Sequence, residues 1–218
     1  MKQILTLIMV TFLVINGVKG QDLNSFFKDA NTFFSKHVSD SKIQYGAITE
    51  DPKELTKLTD FIASADVSSY SDVQLKAFYI NSYNLLVVKT VVDNYPITKP
   101  LAVPGFFDVV KQKVAGKKTT LNNFEKKELL QKYNDPRLHF VLVCAAVSCP
   151  PIADFAYMPD QLEEQLETRT KAAMNDGVFI KVDDFAGTVQ ISQIFDWYAS
   201  DFKPNANAFI KKYKTTPL

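Results

Sequence analysis

The segment Ser71 to Asn94 constrains this chain more than any other. Its apolar residues, Leu75, Phe78, Ile80, Leu85 to Val88, Val91 and Val92, fall on nearly every side of a 3.6-residue period. A helix apolar almost all round has no face to offer water, so it must run through the middle of a core. Asn81 and Asn84 lie three residues apart in it and share one face. Carboxamides in such a helix are expected to be buried and hydrogen-bonded. Two roles are open to them: tying the helix to loop carbonyls, or orienting an imidazole or a substrate.

The rest of the chain must cover that helix. Apolar periodicity predicts helices over Asp22–Val38 and Pro52–Ala65 before it, with Pro52 near the first helical position. Pro96, Pro100 and Pro104 make Tyr95–Gly105 a loop. Hairpins are expected within Val109–Thr120 around Ala115-Gly116, and for Phe179–Asp183 with Thr188–Ile191 around Ala186-Gly187. Further helices are expected over Leu121–Tyr133, Pro159–Met174, Gln193–Phe202 and Asn205–Tyr213, and Leu138–Cys144 reads as an interior strand. With 46% hydrophobic residues, 17 Phe and 9 Tyr in 218 residues, the chain can bury one sizeable core and is not disordered. Helices first and mixed elements later imply a single α+β domain, its helical N-terminal part packed on a small mixed sheet.

The first twenty residues have another character. Lys2 precedes a twelve-residue apolar run, Ile4–Ile15, and Val18 and Gly20 sit at the −3 and −1 places of a cleavage site before Gln21. Twelve residues at about 1.5 Å each fall short of a hydrocarbon core of about 30 Å. Residues 1–20 are therefore expected to be a signal peptide, which makes the protein periplasmic or secreted with no stable membrane insertion after cleavage. The remainder divides into an N-terminal helical segment over 21–74, a core over 75–202, and a C-terminal helix and tail over 203–218.

Charge and composition exclude several classes. The formal net charge is +1, and only Arg137 and Arg169 offer a guanidinium fork, so nothing favours nucleic acid. Two His and two Cys do not make a clustered ligand set, so no metal is expected, and no cofactor motif appears.

The densest chemistry lies in Asp135–Pro151, which holds His139, Cys144 and Cys149. Strand alternation would turn Cys144 away from His139, whereas Cys149 lies past a turn and can swing back. Cys149-Pro150 resembles a cap and first position of a short helix, whose dipole favours a thiolate, and an imidazole nearby favours it further. Pro150 and Pro151 lack N–H groups, which depletes the donors that an oxyanion would need. Three readings of the cysteines stand side by side: Cys149 as catalytic nucleophile, a Cys144–Cys149 disulfide, or inert thiols. Glu125 is either a first-turn helix acid or a partner for His139 or Arg137. The aromatic and acidic run Asp196-Trp197-Tyr198, with Asp201-Phe202, reads as packing with an exposed acidic edge.

Four blocks together resemble a known family: Ala77–Leu86, Gly116-Lys117 with Leu121–Glu125, Asp135–Pro151, and Ile191–Tyr198 with Asp201-Phe202. They are similar to the family catalogued as domain of unknown function number 547, over roughly Leu75 to Phe202. His139 with Ser148-Cys149-Pro150 is the most specific part. The resemblance implies a single α+β domain, often on secreted or envelope proteins, and no established activity. The family pattern usually reads Trp at the place of Tyr79, and Glu-His where this chain has Glu125-Lys126. If that second place holds the family's general base, this member is impaired or the base is His139.

The expectation that follows is a secreted thiol-dependent hydrolase or acyltransferase. Cys149 would attack a carbonyl, His139 would act as base, and Asn81, Asn84 or Glu125 would orient the imidazole. The alternative is a non-catalytic envelope binding module for a small molecule or peptide, with structural Cys, His and Asn. A thiol-redox protein ranks below both, because the cysteines are not spaced as C-x-x-C.

Overall fold

The core is built around the long apolar helix. A computed structural model of the chain describes residues 22–145, 150–177, 179–183 and 185–215; the expected signal peptide and Cys149 lie outside them. The first elements wrap one side of the core. Helix α1, Leu23–His37, is capped by the Asp22 side chain and buries Phe26, Phe27, Phe33 and Phe34. A two-residue ladder, β1 Val38–Ser39 and β2 Lys42–Ile43, turns through Asp40 and Ser41. Both turn residues hold left-handed backbone, as a tight hairpin with the twist of its strands requires. Helices α2, Tyr45–Glu50, and α3, Lys53–Ser64, follow.

Helix α4, Asp72–Val92, opens with a capping box between Ser71 and Gln74. Fifteen of its residues are buried, among them Asn81 at 0% and Asn84 at 2% exposure. Each fully buried Leu, Val or Phe contributes about 1.5–3 kcal/mol relative to exposure, so α4 is held by its surroundings and not by an exposed polar face. Hairpin β3 Lys111–Val114 with β4 Lys117–Thr120 turns at Ala115-Gly116, both with positive φ, as the sequence predicts.

The next helix is interrupted by a wider turn. α5, Leu121–Asn123, and α6, Gln131–Tyr133, flank a π-helical stretch, Phe124–Leu130. The apolar spacing accounts for it. Phe124, Leu129 and Leu130 are buried while Glu128 is exposed, a five-residue interval that a π turn brings to one face and an α turn would not.

The expected strand Leu138–Cys144 is absent. Pro136–Phe140 is a 3-10 helix, and Val141–Cys144 continues as irregular chain with no strand partner. The Asp135 side chain accepts from the Arg137 N–H and starts a turn where apolar content alone suggested a strand. Nor does a helix begin at Pro150. Pro150–Ala153 is non-helical, in keeping with the bias of a residue before proline away from the helical region.

α7, Leu162–Asn175, leads into the hairpin β5 Ile180–Asp183 with β6 Thr188–Ile191. The expected helix Gln193–Phe202 is shorter: α8, Ile194–Trp197, then a 3-10 turn, Ala199–Asp201. α9, Ala206–Tyr213, closes the described chain. The fold is α+β, and among the described residues the strands form three separate antiparallel hairpins instead of one mixed sheet. Among the described residues, no helix is long and apolar enough to cross a membrane.

Among the described residues, two apolar clusters fill the interior. The larger surrounds α4 and draws on residues from Phe26 to Leu166. The smaller joins Phe140 to Ala173, Met174, Phe179, Ile180, Phe195, Phe202, Phe209, Ile210 and Tyr213. Tyr198 packs against both, which places it at their seam.

Candidate functional site at the seam between the two cores

His139 sits at that seam, and the residues just before it fix its position. Asp135 accepts bidentately from Arg137, at 2.9 and 2.7 Å, and from Lys76 on α4 at 2.7 Å. Burial alone would raise the Asp135 pKa, but Arg137 and Lys76 together hold it down to about 2. This buried ion cluster clamps the 3-10 turn onto α4.

Beyond the clamp, the His139 side chain is 3% exposed, and its Nε2 lies 2.8 Å from Asp201 Oδ2. A carboxylate only accepts, so Nε2–H donates and Nδ1 is left as the acceptor of the neutral ring. The imidazole lies between Tyr198, at 4.2 Å, and Phe202, at 5.4 Å centroid to centroid. Burial lowers its pKa below the ordinary imidazole value, against the opposing pull of Asp201, Glu125 and Asp135.

Glu125, at the start of the π turn, does not bond His139. The Tyr83 hydroxyl donates to it at 2.7 Å and the Tyr198 hydroxyl at 3.3 Å. Burial first, then the Glu125 charge, raises Tyr198 to about 12 and Tyr83 well above its usual value. Glu125 therefore acts on the imidazole through its charge, and its bonded partner Tyr198 packs a tilted ring against it. Arg137 does not pair with Glu125 either; it is committed to Asp135 and Glu163.

Both asparagines hold backbone. Asn84 donates to Val141 O and accepts from Val143 N–H, each at 3.0 Å. Asn81 donates to Ala77 O and Tyr157 O and accepts from Tyr157 N–H at 2.9 Å. Neither is bonded to His139. Cys144 is disulfide-bonded, no free cysteine exists among the described residues, and the chain's one other cysteine is Cys149. No group of three or more His, Cys, Asp or Glu among the described residues is arranged to hold a metal ion.

Two clefts lie nearby. One, of about 390 Å³, has Ile43 and Tyr45 on one side and Val143, Pro150 and Pro151 on the other. The other, of about 430 Å³, is lined by Lys126, Leu130, Gln131, Trp197, Tyr198 and Asp201. Trp197 is 67% exposed there, whereas Phe195 on the same short helix is buried.

Tyr198 and Asp201 were the residues that sequence reasoning undervalued. They stand 73 and 62 positions from Glu125 and His139 respectively, and no local period reports such a pairing. Their one signal was membership of the last block of the family resemblance.

The arrangement defines an α+β domain with a buried His–Asp pair and a tyrosine-held carboxylate at the junction of two cores. Residues 67–172 match the model of the family described as "Protein of unknown function, DUF547", and this segment of the chain belongs to that family. The match takes in Tyr83, Glu125 and His139 and ends before Tyr198 and Asp201. No curated protein and no solved structure is significantly similar to the chain.

Proposed function

We propose that this chain is an extracytoplasmic, non-catalytic binding module in which the Cys, His and Asn side chains hold the fold. One observation carries the proposal: the polar groups a thiol enzyme would use are committed elsewhere. Cys144 is in a disulfide, and both asparagines are bonded to backbone. His139 is buried between two rings with its Nε2 on Asp201. While Tyr198, Asp201 and Phe202 stay packed on it, an imidazole so enclosed does not reach a substrate carbonyl. Lys126 stands where the family pattern usually has a second histidine. The bonded cysteine also suits an oxidising compartment, as the N-terminal n-region, apolar run and small residues do.

A thiol-dependent hydrolase or acyltransferase retains one supporting feature, the 390 Å³ cleft beside Pro150 and Pro151. Titration of thiols in the unreduced protein, native and denatured, separates the two readings. The binding reading expects no thiol in either state. A free thiol whose alkylation abolishes hydrolysis of an amide or ester probe would overturn it in favour of the enzyme.

A further inference from the structure

We infer that the cleft carrying Trp197 binds a neutral saccharide, with a pyranose face stacked on the indole. The inference rests on the binding-module reading and deepens it. The geometry starts from α8, which is anchored by Phe195 and Ile194 and turns its tryptophan outward. An indole left 67% exposed forgoes the burial that a large aromatic side chain normally gains. Beside Leu130 and Tyr198, its neighbours in the cleft include three polar groups of mixed kind. Lys126 brings an ammonium donor, Gln131 a carboxamide that donates and accepts, and Asp201 a carboxylate. Asp201 is held in place by His139 on one oxygen and the Ser200 hydroxyl on the other, yet its side chain remains 33% exposed. The volume, about 430 Å³, lies within the roughly 300–1,000 Å³ of small-ligand sites.

Other ligand classes fit less well. A cation would meet the Lys126 ammonium beside the same indole. A nucleotide would lack a guanidinium fork, since Arg137 is held by Asp135 and Glu163 and Arg169 donates to the Pro151 carbonyl. A wholly apolar ligand would strand the ammonium and carboxylate of the rim. What remains is a neutral molecule with one flat C–H face for the ring and an edge of hydroxyls for a mixed set of donors and acceptors.

Trp197 is the chain's only tryptophan, so its fluorescence reports this cleft and nothing else. The protein is titrated with three probes: the β-1,4 and α-1,4 tetramers of glucose and the tetramer of N-acetylglucosamine. At least one should give a saturable blue shift below about 10 mM. By calorimetry, Trp197→Ala and Gln131→Ala should each weaken that binding roughly tenfold or more, while Trp197→Tyr, which keeps an aromatic face, should retain it. Silence with all three sugars would overturn the inference. So would a sugar response in calorimetry that Trp197→Ala leaves unchanged. Tetramethylammonium is run alongside: a response to it alone rejects the saccharide and keeps the cleft as a ligand site. The thiol titration is independent of all these outcomes, so the binding-module reading stands or falls separately.

Discussion

His139 Nε2 and Asp201 Oδ2 are 2.8 Å apart, although 62 residues of chain separate them. The bond joins the 3-10 turn Pro136–Phe140, inside the family-matched segment, to the short turn after α8. It is a polar tie between the two apolar clusters, beside the Tyr198–Glu125 bond, and the Tyr198 ring packs against its imidazole.

The tie has a defined dependence on pH. Burial depresses the His139 pKa, so below about 6.5 the unfolded chain binds a proton that the native chain resists. The stability His139 contributes is therefore complete above that value and declines as the pH falls through the depressed native pKa. Asp201→Asn removes a charge that favours the imidazolium, so it should lower the native pKa further and steepen the acid loss. NMR titration of the imidazoles, with His37→Gln to assign them, and urea midpoints at neutral and mildly acid pH check this. A His139 titrating at or above the ordinary value would refute it.

Asp135 gives a second, lower window. Its native pKa of about 2 lies under the unfolded value of about 3.9, so its contribution is complete above the latter and lost as pH falls through the former. Asp135→Asn leaves Lys76, whose side chain is 11% exposed, without its carboxylate and should cost about 3 kcal/mol or more. Lys76→Met, which removes the stranded charge, should cost less. Equal urea midpoints for wild type and Asp135→Asn would contradict the clamp.

The asparagines should behave as fold residues. Asn84→Leu strands the Val143 N–H and the Val141 carbonyl, and Asn81→Leu strands both backbone groups of Tyr157. Each replacement should cost about 1–3 kcal/mol in urea melts. Unchanged midpoints would mean that these bonds contribute nothing.

The two hydroxyls on Glu125 should be unequal. Tyr83 is fully buried and donates at 2.7 Å; Tyr198 is half-buried and donates at 3.3 Å. Tyr83→Phe should cost about 1.5–3 kcal/mol, as befits a bond to a charged group, and Tyr198→Phe less. A reversed order in a double-mutant cycle would show that Glu125 leans on Tyr198.

Local pattern made much of the fold legible. The all-round apolarity of Ser71–Asn94 implied the central helix and two buried carboxamides, and Ala115-Gly116 marked a hairpin turn that has φ of 47° and 78°. What failed was the apolar run Leu138–Val143. It is buried on all sides, so its composition did not tell strand from 3-10 turn, and the Asp135 side-chain cap decided the matter. At the site, His139 and Glu125 were legible as unusual residues in their segments. Asp201 and Tyr198 were not, because their meaning comes only from the packing of distant chain. The Cys149 expectation lies outside the described residues.

The two apolar clusters have one more implication. The family match ends at residue 172, and the smaller cluster, Phe140 apart, begins at Ala173. The C-terminal layer is therefore expected to open as its own cooperative unit, below the cost of global unfolding. When it lifts, Asp201, Tyr198 and Trp197 leave together, and His139 and Glu125 come into solvent. Hydrogen exchange should then show two protection classes, with α9 amides exchanging sooner than those of α4. A single class shared by both helices would mean that the seam never opens by itself.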